Sequence, residues 1–195
     1  MGLSPINCSS HLGIATWPWG KYLGEKPIKV KISKIIRLHP KSCVMKAKAS
    51  GYYANSILAT LDAKTNGFDE AILLDYRGYI AEGPGENIFM VKDNVLYTPK
   101  KDSILPGITR DTIIKLVKDL KIKIKEKNIT KKQIKQADEV FFVGTAAEIT
   151  PIGQIDKKKI NHGKIGPITR KLQDTFQKVV TGEIKRYRNW LSYIN

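Results

Sequence analysis

The feature of the sequence that most restricts its fold is an apolar segment broken by two carboxylates, YIAEGPGENIFMV at residues 79–91. Both halves of this segment have the apolar, β-branched and aromatic composition of a strand. Between them, Glu82 and Glu86 enclose a Gly-Pro-Gly sequence, which ends a regular strand and bends the chain. A carboxylate at the end of a buried strand is either a satisfied structural acid or the partner of a buried cation, and Glu82 is in that position.

The remaining segments predict a domain that mixes strands with helices. Alternation with lysines predicts a half-buried strand at Ile28, Val30 and Ile32, and residues 50–67 have a helical spacing that stops at Gly67. This mixture predicts an α/β (α+β) fold, and residues 1–195 are expected to form a single domain. Further strands are predicted at FDEAILLD, NIFMV, VLYTP, KIKIKEK and DEVFFVG, and further helices at LPGITRDTIIKLVKDL, at KKQIKQA after the N-cap Thr130, and over residues 166–191.

The net charge of +16, from 34 Lys and Arg against 18 Asp and Glu, raises the question of a polyanionic partner. Nucleic-acid-binding faces interleave arginine and aromatic side chains, whereas lysine is spread along this whole chain. This distribution indicates compositional drift toward lysine and disfavours a nucleic-acid partner, although a basic nucleic-acid binder stays open as an alternative.

Compartment and metal content are also restricted by composition. No run approaches the ~18 apolar residues that a membrane helix needs, and the first residues lack the pattern of a secretory signal. The two cysteines, Cys8 and Cys43, form no disulfide framework and share no metal-ligand spacing with the histidines. A cytoplasmic chain with no membrane partner and no metal site is therefore expected.

Two segments are suited to contact an anionic group. LPGITR, at residues 105–110, places Gly107 and Thr109 at a helix start, where backbone N–H groups are free. VGTAAE, at residues 143–148, follows a buried strand, and its small residues allow a ligand to approach the backbone closely. Each segment alone is more often an ordinary helix cap or tight turn.

One chemistry requires such segments together with an acid and a lysine. Pyridoxal phosphate needs a lysine for a Schiff base, an acid beside its pyridine nitrogen and a cradle for its phosphate. Lys48 lies in MKAKASGYY, where small neighbours leave room for a ring and apolar surroundings would lower the pKa of its amine. Because lysines are abundant here, composition alone does not single out Lys48.

With these residues in view, the sequence resembles the branched-chain amino acid aminotransferases, which are fold-type IV pyridoxal-phosphate enzymes. The resemblance implies a large pseudo-barrel domain in which helices surround a mixed sheet. It is specific, because several long motifs occur in the same order over essentially the whole chain. These motifs are WPWGKYLG, AKASGYY, DEAILLDYRGYIAEGPGENIFMVKD, YTP, ILPGITRDTIIKL, ADEVFFVGTAAEITPI and the terminal FQKVVTGE with its later WL.

The resemblance implies a cofactor site residue by residue. Lys48 matches the lysine that carries pyridoxal phosphate, and Glu82 matches the acid that bonds the pyridine nitrogen. Tyr53 matches the tyrosine that faces the phenolic oxygen, and Arg37 matches a supporting arginine nearby. The strand is then broken so that one carboxylate meets the ring. The positions that match phosphate-binding residues are Leu105, Ile108, Thr109 and Thr145.

The resemblance also implies a substrate side and a reaction. Ala146 and Ala147 match a turn whose N–H groups meet the substrate carboxylate, while Trp19 and Tyr22 match the lining of the side-chain pocket. Glu86 is expected to have a structural role at the bend. The implied reaction is transamination between branched-chain L-amino acids (Leu, Ile, Val) and 2-oxoglutarate, with the freed lysine acting as base and then as acid.

The chain departs from the family at its start, because the family has a small domain before the large one and this small domain is expected to be absent. The chain is then a fragment, one product of a split gene whose partner chain carries the small domain, or a decaying gene. Full-length family members are expected to form homo-oligomers. D-amino-acid aminotransferase and aminodeoxychorismate lyase are alternatives of the same fold, and an inactive fragment is an alternative of another class.

Overall fold

A computed structural model describes residues 4–20 and 22–193. Within these residues, nine strands form one hydrogen-bonded sheet accompanied by four α-helices, none of which has the length and apolar character to cross a bilayer. The strands are β1 (Ile28–Ile32), β2 (Glu70–Leu74), β3 (Ile80–Glu82), β4 (Asn87–Lys92), β5 (Val95–Thr98), β6 (Lys123–Glu126), β7 (Glu139–Gly144), β8 (Glu148–Ile155) and β9 (Lys158–Lys159). The helices are α1 (Ala54–Thr65), α2 (Ile108–Asp119), α3 (Lys131–Lys135) and α4 (Pro167–Val180), with 3-10 turns at Ser50–Tyr53, Lys101–Ser103, Asn161–Gly163 and Lys185–Trp190.

The sheet is mixed, which confirms the predicted α/β class. Its strand order is β3-β2-β1-β8-β7-β4-β5-β6, and β9 pairs with β8. Strand β1 lies parallel to both β2 and β8, and β6 lies parallel to β5. The other pairs, including the hairpins β4–β5 and β7–β8, are antiparallel. The bend at residues 83–86 joins β3 to β4, which are not neighbours in the sheet.

The centre of the sheet is buried on both faces. In β4, Ile88 and Met90 belong to one apolar cluster, while Phe89 and Val91 belong to another. This division follows from the alternation of side chains along a strand. Helices α2 and α4 cover the second cluster, where the rings of Phe89 and Phe141 stack with centroids 5.4 Å apart. Strand β4, which follows the 83–86 bend, is therefore packed on both faces.

Most of the predicted strands and helices are confirmed within a few residues. Helix α1 ends before Gly67, whose φ is +78°, and Thr130 caps α3 through a reciprocal capping box with Gln133. The prediction of one terminal helix over residues 166–191 is wrong beyond Val180. Gly182 has a φ of +77°, which ends a right-handed helix, and the 3-10 turn follows separately. Strand β8 has no counterpart among the predicted elements.

The start of α4 is anchored to the sheet by Glu139, the first residue of β7. Its carboxylate accepts hydrogen bonds from the backbone N–H groups of Ile168 (3.0 Å) and Thr169 (2.7 Å), and from the Thr169 hydroxyl at 2.6 Å. A carboxylate at a helix N-terminus satisfies free N–H groups and is favoured by the helix dipole. This contact sets the position of α4 beside the β7–β8 turn.

Candidate active site

The bend between β3 and β4 lies where two cavities meet. The smaller cavity, of about 320 Å³, is lined by Glu82, Arg37 and the segment from Leu105 to Thr109. The larger, of about 930 Å³, lies between residues 19–20 and 22–25, the β7–β8 turn and α4. Both volumes are within the range of small-molecule sites. The residues that line both cavities are Lys48, Gly85, Glu86 and Thr145.

Glu82 is a buried carboxylate with several hydrogen-bond donors. It is 4% exposed and accepts from Arg37 Nε at 2.5 Å and from Asn87 Nδ2 at 3.0 Å. The backbone N–H of Leu105 donates to both of its oxygens, at 3.1 and 3.2 Å. Burial raises the pKa of Glu82 to about 7, against the opposing charge and hydrogen bond of Arg37. A further cation in the cavity would therefore favour the ionised form.

Among the described residues that line the smaller cavity, Arg37 and Glu82 form the only ion pair. Arg37 is 9% exposed, and its backbone N–H donates to the carbonyl of Leu74 at 2.8 Å, which ties the 33–49 loop to the end of β2. The structure thus places Arg37 against Glu82. The supporting role near the phenolic oxygen that the resemblance implies for Arg37 stays a prediction.

Asn87 is a site residue that sequence reasoning missed. Its Nδ2 donates to Glu82 and also to the Leu105 carbonyl oxygen, at 2.9 Å. A Cβ atom on Gly107 would lie 2.1 Å from Asn87 Oδ1, so a side chain at the entrance of α2 would displace the Asn87 amide. The signal in the sequence was a polar residue at the first position of the apolar strand NIFMV.

The N-terminus of α2 forms the other end of the smaller cavity. Its N-cap is Gly107, and no side chain caps the first turn. The first N–H groups of a helix have no intrahelical acceptor, so those of Ile108 and Thr109 are available to an anion. Thr109 is 8% exposed and lines the cavity, and Thr145 reaches the same cavity from the β7–β8 turn. The four positions predicted to contact phosphate, Leu105, Ile108, Thr109 and Thr145, are brought together here.

Lysine is present in the smaller cavity at two positions, Lys46 and Lys48. Both follow β1 in an irregular loop, and Tyr53 lines the same cavity from the 3-10 turn that precedes α1. The expectation of apolar surroundings for Lys48 is wrong, because its side chain is exposed between the two cavities. Lys46 was not considered from the sequence, although it stands only two residues away.

The larger cavity brings together the residues predicted for the substrate side. Ala146 and Ala147 line it from the β7–β8 turn. The rings of Trp19 and Tyr22 contact each other edge to face, with centroids 5.9 Å apart. Both aromatic rings are substantially exposed, at 64% and 43%. The polar face of α4 supplies a wall that sequence reasoning missed, because these positions show only ordinary helical periodicity. That wall consists of Arg170, Gln173, Asp174 and Gln177.

Glu86 occupies a different environment from Glu82. It is 4% exposed, and its carboxylate accepts one hydrogen bond, from Gly85 N at 3.1 Å. Among the described residues it has no ion-pair partner. Burial raises the pKa of the Glu86 carboxyl to about 8, and the nearby charge of Glu70 adds to this rise. Burial therefore favours the protonated form of Glu86, which lines both cavities.

Comparison with known proteins identifies relatives of the whole chain. The model of the amino-transferase class IV family matches residues 3–155. The chain is 44% identical to the branched-chain-amino-acid aminotransferases of Pseudomonas aeruginosa and Escherichia coli, over 100% of its own length. It spans 64% and 65% of the length of these two curated relatives.

Solved structures agree with this relationship. A branched-chain aminotransferase from Thermoproteus uzoniensis with norvaline is 45% identical, with a TM-score of 0.88 over 91% of this chain and 59% of that one. The Escherichia coli enzyme is 44% identical, with a TM-score of 0.89 over 92% of this chain and 60% of that one. The fold-type IV resemblance noted from the motifs is thereby confirmed, and the chain belongs to the class IV aminotransferase family.

Proposed function

We propose that this chain forms the catalytic part of a pyridoxal-phosphate-dependent aminotransferase that acts on branched-chain L-amino acids and 2-oxoglutarate. The observation that carries the proposal is the arrangement of the smaller cavity, with the buried Glu82–Arg37 pair at one end and the uncapped N-terminus of α2 at the other. Curated relatives that carry the name branched-chain-amino-acid aminotransferase support the reaction class.

The residues of the smaller cavity fit pyridoxal phosphate in both charge and size. The cavity holds a carboxylate for a protonated ring nitrogen, free backbone N–H groups for a phosphate, and lysines for a Schiff base. Gly107 keeps the entrance of α2 open, because a Cβ there would collide with Asn87. Related structures with pyridoxamine 5'-phosphate and with pyridoxal phosphate bound give independent support for the same cofactor.

The chemistry that pyridoxal phosphate supplies when bound is an electron sink, which allows the Cα–H bond of an amino acid to break. With the cofactor bound, Glu82 would supply the carboxylate for the ring nitrogen, and its negative charge would keep that nitrogen protonated. Lys48 is the base that removes the Cα proton and the acid that returns it, because it lies where the two cavities meet. The N–H groups of the turn at Ala146 and Ala147 bind the substrate carboxylate.

The larger cavity supplies the substrate specificity in this proposal. Trp19, Tyr22 and Phe176 give it apolar surface for an aliphatic side chain. Such a surface discriminates poorly between leucine, isoleucine and valine, since one methylene is worth only about 1–3 kcal/mol. Related structures contain norvaline, 4-methylvaleric acid and N-(5'-phosphopyridoxyl)-L-glutamate, which supports aliphatic and glutamate-derived substrates.

The rest of the proposal concerns the whole enzyme. Since the chain spans about two thirds of its curated relatives' length, we propose that a small domain, on a separate chain or elsewhere, completes the open side of the cavities. Lys48 is exposed, and contacts between charges weaken in water, so this chain alone is expected to bind the cofactor more weakly than a complete enzyme. A cytoplasmic location and a homo-oligomeric complete enzyme belong to the same proposal.

The test is to trap the Schiff base. The purified chain is mixed with pyridoxal phosphate, reduced with borohydride, and the modified lysine is mapped by mass spectrometry. We expect modification mainly at Lys48, with Lys46→Ala as the matched control that keeps it and Lys48→Ala as the variant that loses it. Glu82→Ala is expected to reduce the labelling strongly, because the ring nitrogen loses its partner.

The outcomes of this test separate the proposal from its alternatives. Labelling at Lys48 followed by turnover of L-leucine with 2-oxoglutarate supports the proposal, whereas turnover of D-alanine favours the D-amino-acid alternative. Labelling that moves to Lys46 contradicts the role of Lys48. Labelling spread over many surface lysines contradicts the proposed cofactor site and favours an inactive fragment.

A further inference from the structure

We propose that Asn87 is a positioning residue that holds the two ends of the smaller cavity at a fixed spacing. One end is the Glu82 carboxylate, and the other is the segment from Leu105 to Thr109 that opens α2. The inference rests on the proposed function, because it assigns these ends to the ring nitrogen and the phosphate of one ligand. Asn87 itself acts through Glu82 and Leu105.

The hydrogen bonds around Asn87 close a ring of three residues. Asn87 Nδ2 donates to Glu82 Oε2 at 3.0 Å and to the Leu105 carbonyl oxygen at 2.9 Å. The Leu105 N–H donates back to the same carboxylate, at 3.1 and 3.2 Å. Glu82 and Leu105 are therefore connected twice, once directly and once through the Asn87 side chain. Neither end can shift without breaking one of these bonds.

Packing extends this connection to the first turn of α2. A Cβ on Gly107 would lie 2.1 Å from Asn87 Oδ1 and 3.3 Å from Asn87 Cγ, so the amide group lies directly against this glycine. Asn87 is 5% exposed. Its backbone pairs with Val143 in the β4–β7 ladder, which any residue can do. The strand alone therefore does not explain a buried amide at this position, whereas its contacts with the two ends of the cavity do.

The neutrality of Asn87 is part of the inference. An amide donates to a carboxylate without cancelling its charge, so Glu82 keeps its negative charge for a ligand cation. Burial raises the pKa of Glu82 to about 7, whereas the hydrogen bonds from Arg37 and Leu105 lower it. A hydrogen bond donated by Asn87 to the carboxylate acts in the same direction. The charged groups that act on Glu82 are Arg37 from the 33–49 loop and Arg110 from α2. The neighbouring acid Glu86, at the bend, is coupled to Glu82 because the charge of Glu82 raises the pKa of Glu86. Loss of the Asn87 donor shifts this balance toward the protonated acid.

The experiment compares three probes that lack an aldehyde, so that no lysine reacts. These are inorganic phosphate, 4-deoxypyridoxine and 4-deoxypyridoxine 5'-phosphate, titrated into the ligand-free chain by calorimetry. In Asn87→Ala we expect a loss of roughly tenfold or more in affinity for the phosphorylated probe, and a change of less than about threefold for phosphate alone. Asn66→Ala is the matched control, because Asn66 also donates to a backbone carbonyl and a carboxylate, at Asp62.

A second measurement follows the Glu82 carboxyl in the ligand-free chain by carbon-13 NMR. We expect its titration to move up by about one pH unit in Asn87→Ala, and further in the isosteric Asn87→Asp, where a second acid faces it. Asn87→Asp keeps the volume of the side chain, so it covers the case in which Asn87→Ala folds poorly. Circular dichroism establishes folding in each variant.

Two results would overturn the inference. An equal loss of affinity for phosphate alone and for the phosphorylated probe would show that Asn87 affects only the entrance of α2 and does not set the spacing of the two ends. An unchanged Glu82 titration in both variants would show that Asn87 does not act on the carboxylate. If the unmodified chain binds none of the probes, the proposed function fails, and the Glu82 titration by itself then decides whether Asn87 holds the acid.

Discussion

At the residue scale, two glutamates four positions apart have opposite environments. Glu82 has an arginine, an amide and a backbone N–H as donors, whereas Glu86 has one backbone N–H and no cation among the described residues. Burial raises the pKa of Glu82 to about 7. It raises the pKa of Glu86 further, to about 8, because Glu86 has fewer donors. The donors around Glu82 favour its ionised form, which can pair with a cation. The surroundings of Glu86 favour its protonated form.

This difference predicts that the titration of Glu86 makes the unfolding free energy of the chain depend on pH. Its pKa rises from 4.5 to about 8 on folding, so the native chain holds a proton that the unfolded chain releases. The stabilisation is complete below pH 4.5 and is lost as the pH rises through about 8. Glu86→Gln removes this loss, and its unfolding free energy relative to the unmodified chain should rise by up to about 1.4 kcal/mol per pH unit.

The measurement is urea unfolding of both proteins between pH 5 and 9. Glu82 titrates with the same sign but is coupled to Glu86, so the difference between the two proteins reports on this pair of carboxyls. Glu183→Gln is the control, because it makes the same substitution at an exposed position. Parallel stability curves for Glu86→Gln and the unmodified chain would contradict the assignment.

At the scale of elements, the position of α4 depends on one carboxylate. Glu139 accepts three hydrogen bonds from Ile168 and Thr169, and it lies against Gly166, the N-cap of α4. Helix α4 forms one wall of the larger cavity. Its Leu172 packs into the apolar cluster beneath the helix. Stability and the shape of the cavity are therefore linked at the start of this helix.

This packing predicts an unusual cost for a glycine-to-alanine change. A Cβ on Gly166 would lie 2.0 Å from Glu139 Cδ, so Gly166→Ala displaces the capping carboxylate. We expect a loss of about 2 kcal/mol of unfolding free energy, from the lost cap and the overpacking. Gly51→Ala is the control, since nothing lies within 4 Å of its added Cβ and its stability should change little. Equal thermal unfolding of the two variants would count against the contact.

At the scale of the whole molecule, the positive charge is spread over the surface. On the edge strand β6, Lys123 and Lys125 are exposed, and Lys121 is exposed beside it. Lysines on an edge strand discourage pairing with the edge of another sheet. This placement explains part of the charge of +16 without a nucleic-acid partner.

The charge distribution predicts weak, non-specific binding to DNA. Such binding comes from release of counterions, so its affinity should fall steeply between about 50 and 200 mM salt. We expect fluorescence anisotropy to show no sequence preference and little binding at the higher salt. Affinity that persists at 200 mM salt and depends on sequence would favour the nucleic-acid alternative over the aminotransferase.

Part of the site was predictable because its residues occur in short, recognisable sequence motifs. Lys48, Glu82 and the segments around Thr109 and Thr145 each occur in a recognisable stretch, and the structure brings them to one cavity. Asn87 was missed because its role depends on Leu105, which is 18 positions away and is reached only through the fold. Lys46 and the polar face of α4 were missed for a similar reason, since exposed polar residues look alike in a sequence.

Local periodicity, turn chemistry and motif order were enough to predict most of the strands and helices, the bend at residues 83–86 and the family, but not strand β8 or the end of α4. Tertiary structure alone decided which groups share a cavity and which carboxylate receives a cation. Burial and partners set the ionisation of Glu82 and Glu86, and both depend on neighbours that are distant along the chain. For the same reason the exposure of Lys48 became visible only in the folded chain, where apolar neighbours in the sequence do not surround its amine.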